Sequence, residues 1–497
     1  MKIKFDVTPT EFIIIKDILK KYLTKDCKAY VFGSRAKSSS LHGSDLDLAL
    51  ECKGKIEFKK LSKIKIDFED SRLPYMVDVI DLQATKEYFK NMIEKEMIEF
   101  PLGKLERVPE LRFKEFSGEW EEKRLKEVSK INPKTDKLPK QFIYIDLESV
   151  EKGILVKEDS ICDKSAPSRA QRLLKRDDIL FQMVRPYQRN NYFFNLNSDY
   201  VASTGYAQVR TEEISKFLYY YLHTDSFVNI VNAKCTGTSY PAINSTDLSN
   251  IKINLPKKPE QQKIASFLTK IDTKIEQLTK KVELQKQYKK GVMQKVFSGE
   301  IRFKKDDGSG FSEWEEKRLG TIFDYKNGGS FEKEVVKNGK YYLITLNSID
   351  INGDLKQEHK TINITDNSLN KNDLIMVLSD IAHGNFLGLT AIIPEDSKYV
   401  LNQRMGALKL KKNSNMIFLR FLINYNQKYF KLHGQGSSQQ NLSKNDILNF
   451  KINLPSLEEQ NKIADFLSTL DKQIDSTKEQ LAKTKKFKKG LLQKMFV

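Results

Sequence analysis

The strongest constraint on how this 497-residue chain can fold is that everything after roughly its first hundred residues is said twice. Glu119-Trp120-Glu121-Glu122-Lys123-Arg124-Leu125 returns as Glu313-Trp314-Glu315-Glu316-Lys317-Arg318-Leu319, and these hold the only two tryptophans of the chain. Lys252-Ile253-Asn254-Leu255-Pro256 returns as Lys451-Ile452-Asn453-Leu454-Pro455. A duplicated chain folds as two related units, each needing its own core, and can present two similar but non-identical surfaces. Length alone already favours three or more compact units.

After the second block of each repeat comes a long helix. Ile264, Leu268, Ile271, Ile275, Leu278 and Val282 recur at spacings of four and three, an a/d heptad seam. The second copy places Ile463, Leu467, Leu470, Ile474, Thr477 and Leu481 at the same positions, and Val292 and Val296 are answered by Leu491 and Met495. Each helix starts after a proline, Pro256 or Pro455. About 40 residues at 1.5 Å each gives a rod of roughly 60 Å. Such a helix must bury its seam. With a globular segment between the copies, an antiparallel pair is the expected solution.

The globular segments, about 111–255 and 308–454, carry strand signals at Gln141–Ile145, Asp178–Val184, Tyr341–Ile344 and Asp373–Leu378. Each also has one helical stretch, around Ile214–Val231 and Met416–Phe430. Neither contains a P-loop, a Gly-rich dinucleotide turn or an Asn-Pro-Pro-Tyr motif, so they read as units that recognise and do not catalyse. The formal charge of +19, from 85 Lys+Arg against 66 Asp+Glu, is compatible with a polyanionic partner and equally with a merely Lys-rich surface. Base reading needs Arg, Lys, Asn or Gln at a groove. The candidates are Arg169, Arg172, Arg185, Tyr187, Gln188, Arg189, Thr238, Ser239 and Tyr240 in the first half. In the second they are Lys326, His383, Asn385, Gln403, Arg404, Ser437, Ser438, Gln439 and Gln440. The loops at Gly237 and Gly436 stand out because they recur at matched positions. The lysine-rich outer faces of the long helices read as solvated surface.

The first hundred residues are a separate unit. Residues 11–23 predict a helix with Phe12, Ile15, Ile18, Leu19 and Tyr22 on one face. A strand, Ala29–Phe32, runs into Gly33-Ser34-Arg35-Ala36, and the alternating segment Asp45–Leu50 predicts a strand with Asp45 and Asp47 on one face. A third strand, Met76–Leu82, carries Asp78. Paired carboxylates on a strand can hold hard divalent ions, and a Gly-Ser turn offers N–H groups to phosphate. Phosphoryl and nucleotidyl transfer need mainly these parts. Residues 100–110, rich in turn formers, predict a linker. The four cysteines (Cys27, Cys52, Cys162, Cys235) form no C-x-x-C pair. That reads against a zinc ribbon or a disulfide framework and fits a reducing cytoplasm, with Cys27 and Cys52 as core thiols. The five histidines, His42 among them, make no ligand-spaced cluster. The apolar run Phe12–Ile15 is too short for a signal peptide or membrane span.

Two resemblances follow from these residues. Phe32-Gly33-Ser34-Arg35-Ala36 followed by Gly43-Ser44-Asp45-Leu46-Asp47 resembles the minimal nucleotidyltransferase family, of kanamycin-nucleotidyltransferase-like fold, over about residues 1–100. The resemblance implies Mg²⁺ and a nucleoside triphosphate, with Gly33, Ser34 and Arg35 at the nucleotide. Asp45, Asp47 and Asp78 would be metal ligands and catalytic acids, and a toxin of the HEPN class a possible partner. The duplicated part resembles the specificity subunit of Type I restriction–modification enzymes over about residues 108–497. The resemblance is carried by the blocks at Trp120 and Trp314, Ser168-Arg169-Ala170, Gly237-Thr238-Ser239, Gly436-Ser437-Ser438, Glu260-Gln261 and Glu459-Gln460. It implies two target recognition domains on double-stranded DNA, spacer helices that dock methyltransferase subunits and, through them, a restriction subunit, and S-adenosylmethionine and ATP held by those partners.

The expected fold class is α+β multidomain: a nucleotidyltransferase-like α/β domain, then two mixed α/β recognition domains separated by two long helices in an antiparallel coiled coil. The expected bounds are 1–105, 106–255, 256–305, 306–454 and 455–497. The alternatives are a nucleotidyltransferase whose repeat only targets it to DNA, and a scaffold in which both parts only bind.

Overall fold

The structure is a computed structural model that describes residues 5–24, 26–37, 44–102, 107–366, 369–381 and 384–497. His42, Gly43 and His383 lie outside the described residues. By internal contact the chain falls into two compact units, residues 1–275 with 483–497, and residues 276–482. Both units cut through the long helices, so each holds the beginning of one helix and the end of the other.

The first unit opens with helix α1 (Pro9–Tyr22), whose N-terminus is fixed by a capping box between Thr8 and Glu11. The following sheet has strands β1 (Lys28–Phe32), β2 (Leu46–Glu51), β3 (Val77–Asp81) and β4 (Ile98–Phe100), in the order β3-β2-β1-β4. β2 and β3 are parallel and the other pairs antiparallel. Phe12, Ile15 and Leu19 of α1 are buried, as their spacing predicts, and Phe12 stacks on Phe100 at 4.6 Å. Phe100 therefore belongs to the core, and the expected linker starts after it; three residues, Ile98-Glu99-Phe100, are too few to show a period of two. A second correction concerns Cys27 and Cys52, which form a disulfide. They continue the β1–β2 ladder one step beyond the Lys28–Glu51 pair, so antiparallel pairing makes them direct cross-strand neighbours. Arg72 donates to the Ala233 carbonyl at 3.0 Å, joining this domain to the first recognition half.

Each recognition half contains two four-stranded sheets. In the first half one runs Asp159–Cys162, Gln141–Ile145, Tyr200–Ser203, Ala170–Leu173. The other runs Tyr192–Phe193, Ile179–Gln182, Tyr206–Thr211, Ser129–Ile131. The two repeated sequence blocks turn out to be partners. Glu121–Arg124 pairs antiparallel with Lys252–Leu255, and Glu315–Arg318 with Lys451–Leu454. Each predicted helical stretch is instead two helices, Ser215–Tyr221 then Asp225–Lys234, and Met416–Tyr425 then Gln427–His433. Thr224 breaks the first stretch because its hydroxyl caps the second helix, accepting from Phe227 N–H.

The long helices span Lys258–Phe297 and Leu457–Lys494. Ile264, Leu268 and Leu278 of the predicted seam are buried, as are Ile463, Leu467, Ile474 and Thr477. In the first unit Lys488 pairs with Asp272, and Leu491, Met495 and Phe496 share a core with Ile264, Leu268 and Trp120. In the second Lys289 pairs with Asp471, and Val296 shares a core with Ile463, Leu467 and the edge of Trp314. Within each unit, then, the end of one helix lies beside the start of the other, antiparallel.

Where each helix enters its unit, a buried carboxylate anchors the half. Glu260 accepts from Arg112 Nε and Nη2 at 2.8 and 2.7 Å and from Trp120 Nε1 at 3.3 Å. Glu459 does the same with Arg302 (2.8 and 2.9 Å) and Trp314 (3.0 Å). The next residue also recurs: Gln261 and Gln460 donate to the carbonyls of Pro256 and Pro455, both at 2.8 Å.

Candidate nucleotide and nucleic-acid sites

In the N-terminal domain the sheet brings two of the three predicted acids side by side. Asp47 on β2 and Asp78 on β3 are register partners in the parallel pair, so both side chains leave the same face. Burial, then repulsion from Asp78 and Asp45, pushes the Asp47 carboxyl above the ordinary carboxylate range. Asp45 is exposed just before β2, and Asp78 lies 3.4 Å from Lys65 Nζ. Gly33 ends β1 with φ +74°, and a Cβ there would sit 2.3 Å from Asp47 Oδ2. Glycine at position 33 is therefore required twice, by backbone conformation and by the carboxylate against it. Hard oxygen donors whose mutual repulsion raises a pKa suit a divalent cation. Among the described residues, however, no three His, Cys, Asp or Glu side chains are drawn together closely enough to hold one.

Arg35 is corrected. It is buried, donates to the Ser44 carbonyl at 2.9 and 2.7 Å and to the Asp6 carbonyl at 2.7 Å, and stacks on Tyr75 at 3.6 Å. Arg35 thus braces the turn and does not reach toward a phosphate.

The candidate nucleic-acid contacts gather around two repeat-equivalent loops. In the first half Thr236 and Ala242 bridge to close a loop, and Ala242 also bridges to Val184. Gly237, at φ +90°, lets the loop turn back on the Tyr240 carbonyl. This joins Thr238, Ser239 and Tyr240 to the segment Arg185–Arg189. Tyr187 and Tyr240 are exposed, and Arg185 lies over the Tyr240 ring at 4.3 Å. Arg169 is exposed beside the Thr204–Gly205 turn, which also receives the Met183 N–H.

Three residues of the first set have other duties. Arg189 ion-pairs with Asp225 and donates to the His223 carbonyl, so it is a brace. Gln188 accepts from Gln182 at 2.9 Å. Arg172 sits in the strand opposite Ala202, half-buried, with its Nε unpartnered and its pKa lowered by that burial.

In the second half Gln435 bridges Asn441, and Gln439–Asn441 pairs with Ser379–Ile381 as a ribbon. Ser437 and Ser438 are exposed at its tip, Gln439 Nε2 bonds Ser379 Oγ, and Gln440 is the register partner of Asp380. Gln403 and Arg404 are exposed, and the Arg404 carbonyl accepts from Leu378 at the base of the ribbon. Lys326 is 3.8 Å from Asp366, and Asn385 accepts from Gln427 and Lys431. The sequence reading missed Arg112 and Arg302. Their signal was present, since Leu111-Arg112-Phe113 returns as Ile301-Arg302-Phe303. No helix among the described residues is long and apolar enough to cross a membrane.

Comparison with known proteins agrees with this anatomy. A family described as "Type I restriction modification DNA specificity domain" matches residues 117–286 and again 311–486. One described as "Polymerase beta, Nucleotidyltransferase" matches residues 14–99. The Type I restriction enzyme MjaVIII specificity subunit of Methanocaldococcus jannaschii is 26% identical over 372 residues, 71% of this chain and 85% of that protein. The probable protein adenylyltransferase MntA of Haemophilus influenzae is 36% identical over 92 residues, 18% of this chain and 80% of that protein. A crystal structure of a Type I restriction–modification S subunit from M. genitalium shares the fold, with TM-score 0.50 and 20% identity over 78% of this chain and 99% of that one. The chain belongs to the Type I restriction–modification specificity subunit family and carries a nucleotidyltransferase domain ahead of its duplicated body.

Proposed function

We propose that the two halves read the two parts of a split double-stranded DNA site, as the specificity subunit of a Type I complex. The observation that carries this is the pair of repeat-equivalent loops. Each opens on a positive-φ glycine, each bears exposed polar side chains, and the two differ in sequence. Matched position with unmatched chemistry is what two different half-sites require. The long helices, paired antiparallel within each unit, act as the spacer. Their exposed faces dock methyltransferase subunits and, through these, a restriction subunit, which hold the S-adenosylmethionine and ATP. Domain bounds of 1–105, 106–255, 256–305, 306–454 and 455–497 go with this reading, as does a cytoplasmic location. Methylome sequencing of cells with and without the chain tests it. Loss of one split methylated motif is the expected result, and an unchanged methylome refutes it.

A second activity is favoured by the packing of Gly33 against Asp47. The Gly33–Ser34 turn would take the triphosphate of a nucleotide, with Mg²⁺ held by Asp47 and Asp78, the register partners, and by Asp45 once it turns in from its exposed place before β2. When bound, the ion would neutralise phosphate charge during nucleotidyl transfer to an acceptor hydroxyl. A HEPN-type toxin is the acceptor to try first. Labelled ATP with Mg²⁺ and candidate partners should yield a labelled product. Equal labelling by the Asp45→Ala/Asp47→Ala variant overturns the assignment.

A further inference from the structure

The two reading loops are built alike but armed differently, and the difference falls on one residue. Val184 bridges Ala242 in the first half, as Ser379 pairs with Asn441 in the second. The next residue is therefore the equivalent position: Arg185 in one half, Asp380 in the other. Asp380 is buried, and its carboxylate accepts the N–H groups of Ile381 and Phe386, both at 2.8 Å. It is turned inward and closes its own loop.

Arg185 is the opposite case. Its backbone is held in the left-handed region (φ 53°), with its N–H on the Pro241 carbonyl at 2.7 Å. Its guanidinium lies 4.3 Å over Tyr240, which fixes the plane of the fork. Among the described residues the side chain has no acidic partner, one long contact at 3.4 Å to the Ser239 carbonyl, and a buried Nε with no acceptor. A flat, cationic fork at a loop edge, stiffened by a ring and short of acceptors, matches two acceptors in one plane. On duplex DNA that pattern is O6 and N7 of guanine in the major groove.

We propose that Arg185, positioned by Tyr240, specifies a guanine in the half-site read by the first half, and that the second half has no equivalent contact. Its ribbon offers instead the amides of Gln439 and Gln440. The inference rests on the DNA-reading function above and sharpens it to one base pair.

The test selects sites from a randomised duplex library with the full chain co-expressed with its modification subunits, wild type against variants. If the wild type recovers no split motif, the DNA-reading function fails and this proposal with it. If it recovers a motif with no fixed G·C pair in the first half-site, only this proposal fails. Arg185→Ala should weaken preference at one G·C pair by roughly ten- to a hundred-fold and leave every other position, including the whole second half-site, intact. Arg185→Lys keeps the charge but should weaken the same preference, because a mobile ammonium lacks the planar fork that Tyr240 holds in place. Tyr240→Phe should keep the preference and Tyr240→Ala should relax it at that pair only. A uniform loss of affinity at all sequences in Arg185→Ala would make the residue a phosphate contact and overturn the proposal, as would an unchanged motif.

Discussion

Removing the carboxylate of Glu260 should destabilise the first unit and spare the second. Glu260 is 3% exposed and Arg112 13% exposed, so solvent screens the pair little. Deleting one member of such a buried pair costs about 3–5 kcal/mol, because the remaining charge is left without a partner. The Trp120 indole N–H, also bonded to Glu260, loses its acceptor as well, adding about 1 kcal/mol. For a unit of this size the loss corresponds to a fall in melting temperature on the order of 10 °C. Hydrogen–deuterium exchange reads it locally. Glu260→Ala should accelerate exchange in the strands Glu121–Arg124 and Lys252–Leu255 and leave Glu315–Arg318 and Lys451–Leu454 unchanged. Glu459→Ala should do the reverse. The double variant Arg112→Met/Glu260→Leu should recover part of the loss, since no unpaired charge remains. A Glu260→Ala protein that exchanges like wild type, or a double variant worse than the single, would refute the reasoning.

Three further outcomes are expected. Gly33→Ala should abolish nucleotide transfer while the recognition halves melt normally, because its Cβ meets Asp47 and its φ is strained; equal transfer rates would contradict this. His223 has its pKa lowered to about 4, chiefly by burial, with Arg189 and Lys488 adding to the effect. The unfolded chain therefore takes up a proton first as pH falls. The stability linked to His223 is full above about pH 6.5 and is lost toward pH 4, and His223→Phe should flatten that slope in acid melts. Lys289→Glu should weaken the helix pairing of the second unit by about 1–3 kcal/mol, and by more than Lys289→Met does, because it sets a like charge against Asp471; equal losses would rule out a direct Lys289–Asp471 interaction.

The features that repeat at helical or strand period were the ones legible from the residues alone. Ile264, Leu268 and Leu278 of the seam and the strand Gln141–Ile145 fall where their spacing places them. Between Val282 and Val292, and between Leu481 and Leu491, the seam positions Gln285 and Lys289, with Thr484 and Lys488, are polar; the two lysines are held there by Asp471 and Asp272, partners distant in sequence. The same blindness explains Arg35, Arg189 and the Cys27–Cys52 bond. A residue type announces the chemistry it could do, but its engagement is set by neighbours that only the folded chain supplies. Gly33 and Asp47 were legible because a strand, a tight turn and a second strand are local, and the contact between them follows from adjacent pairing.

The crossed ownership of the long helices has a practical corollary. Trp120 and Phe217 of the first half rest on Phe496, and Tyr221 donates to the Val497 carbonyl, while Phe418 of the second half rests on Trp314 and Phe297. Trp120 and Trp314, Phe217 and Phe418, and Phe496 and Phe297 stand at equivalent places in the two repeats, so this aromatic part of the fastening is common to both. The segments between Leu125 and Ile251 and between Leu319 and Phe450 thus each bring an aromatic plug, Phe217 or Phe418, to a matching aromatic socket. A segment exchanged there, by recombination or by an engineer, would have to bring that aromatic with it to fit the frame that receives it.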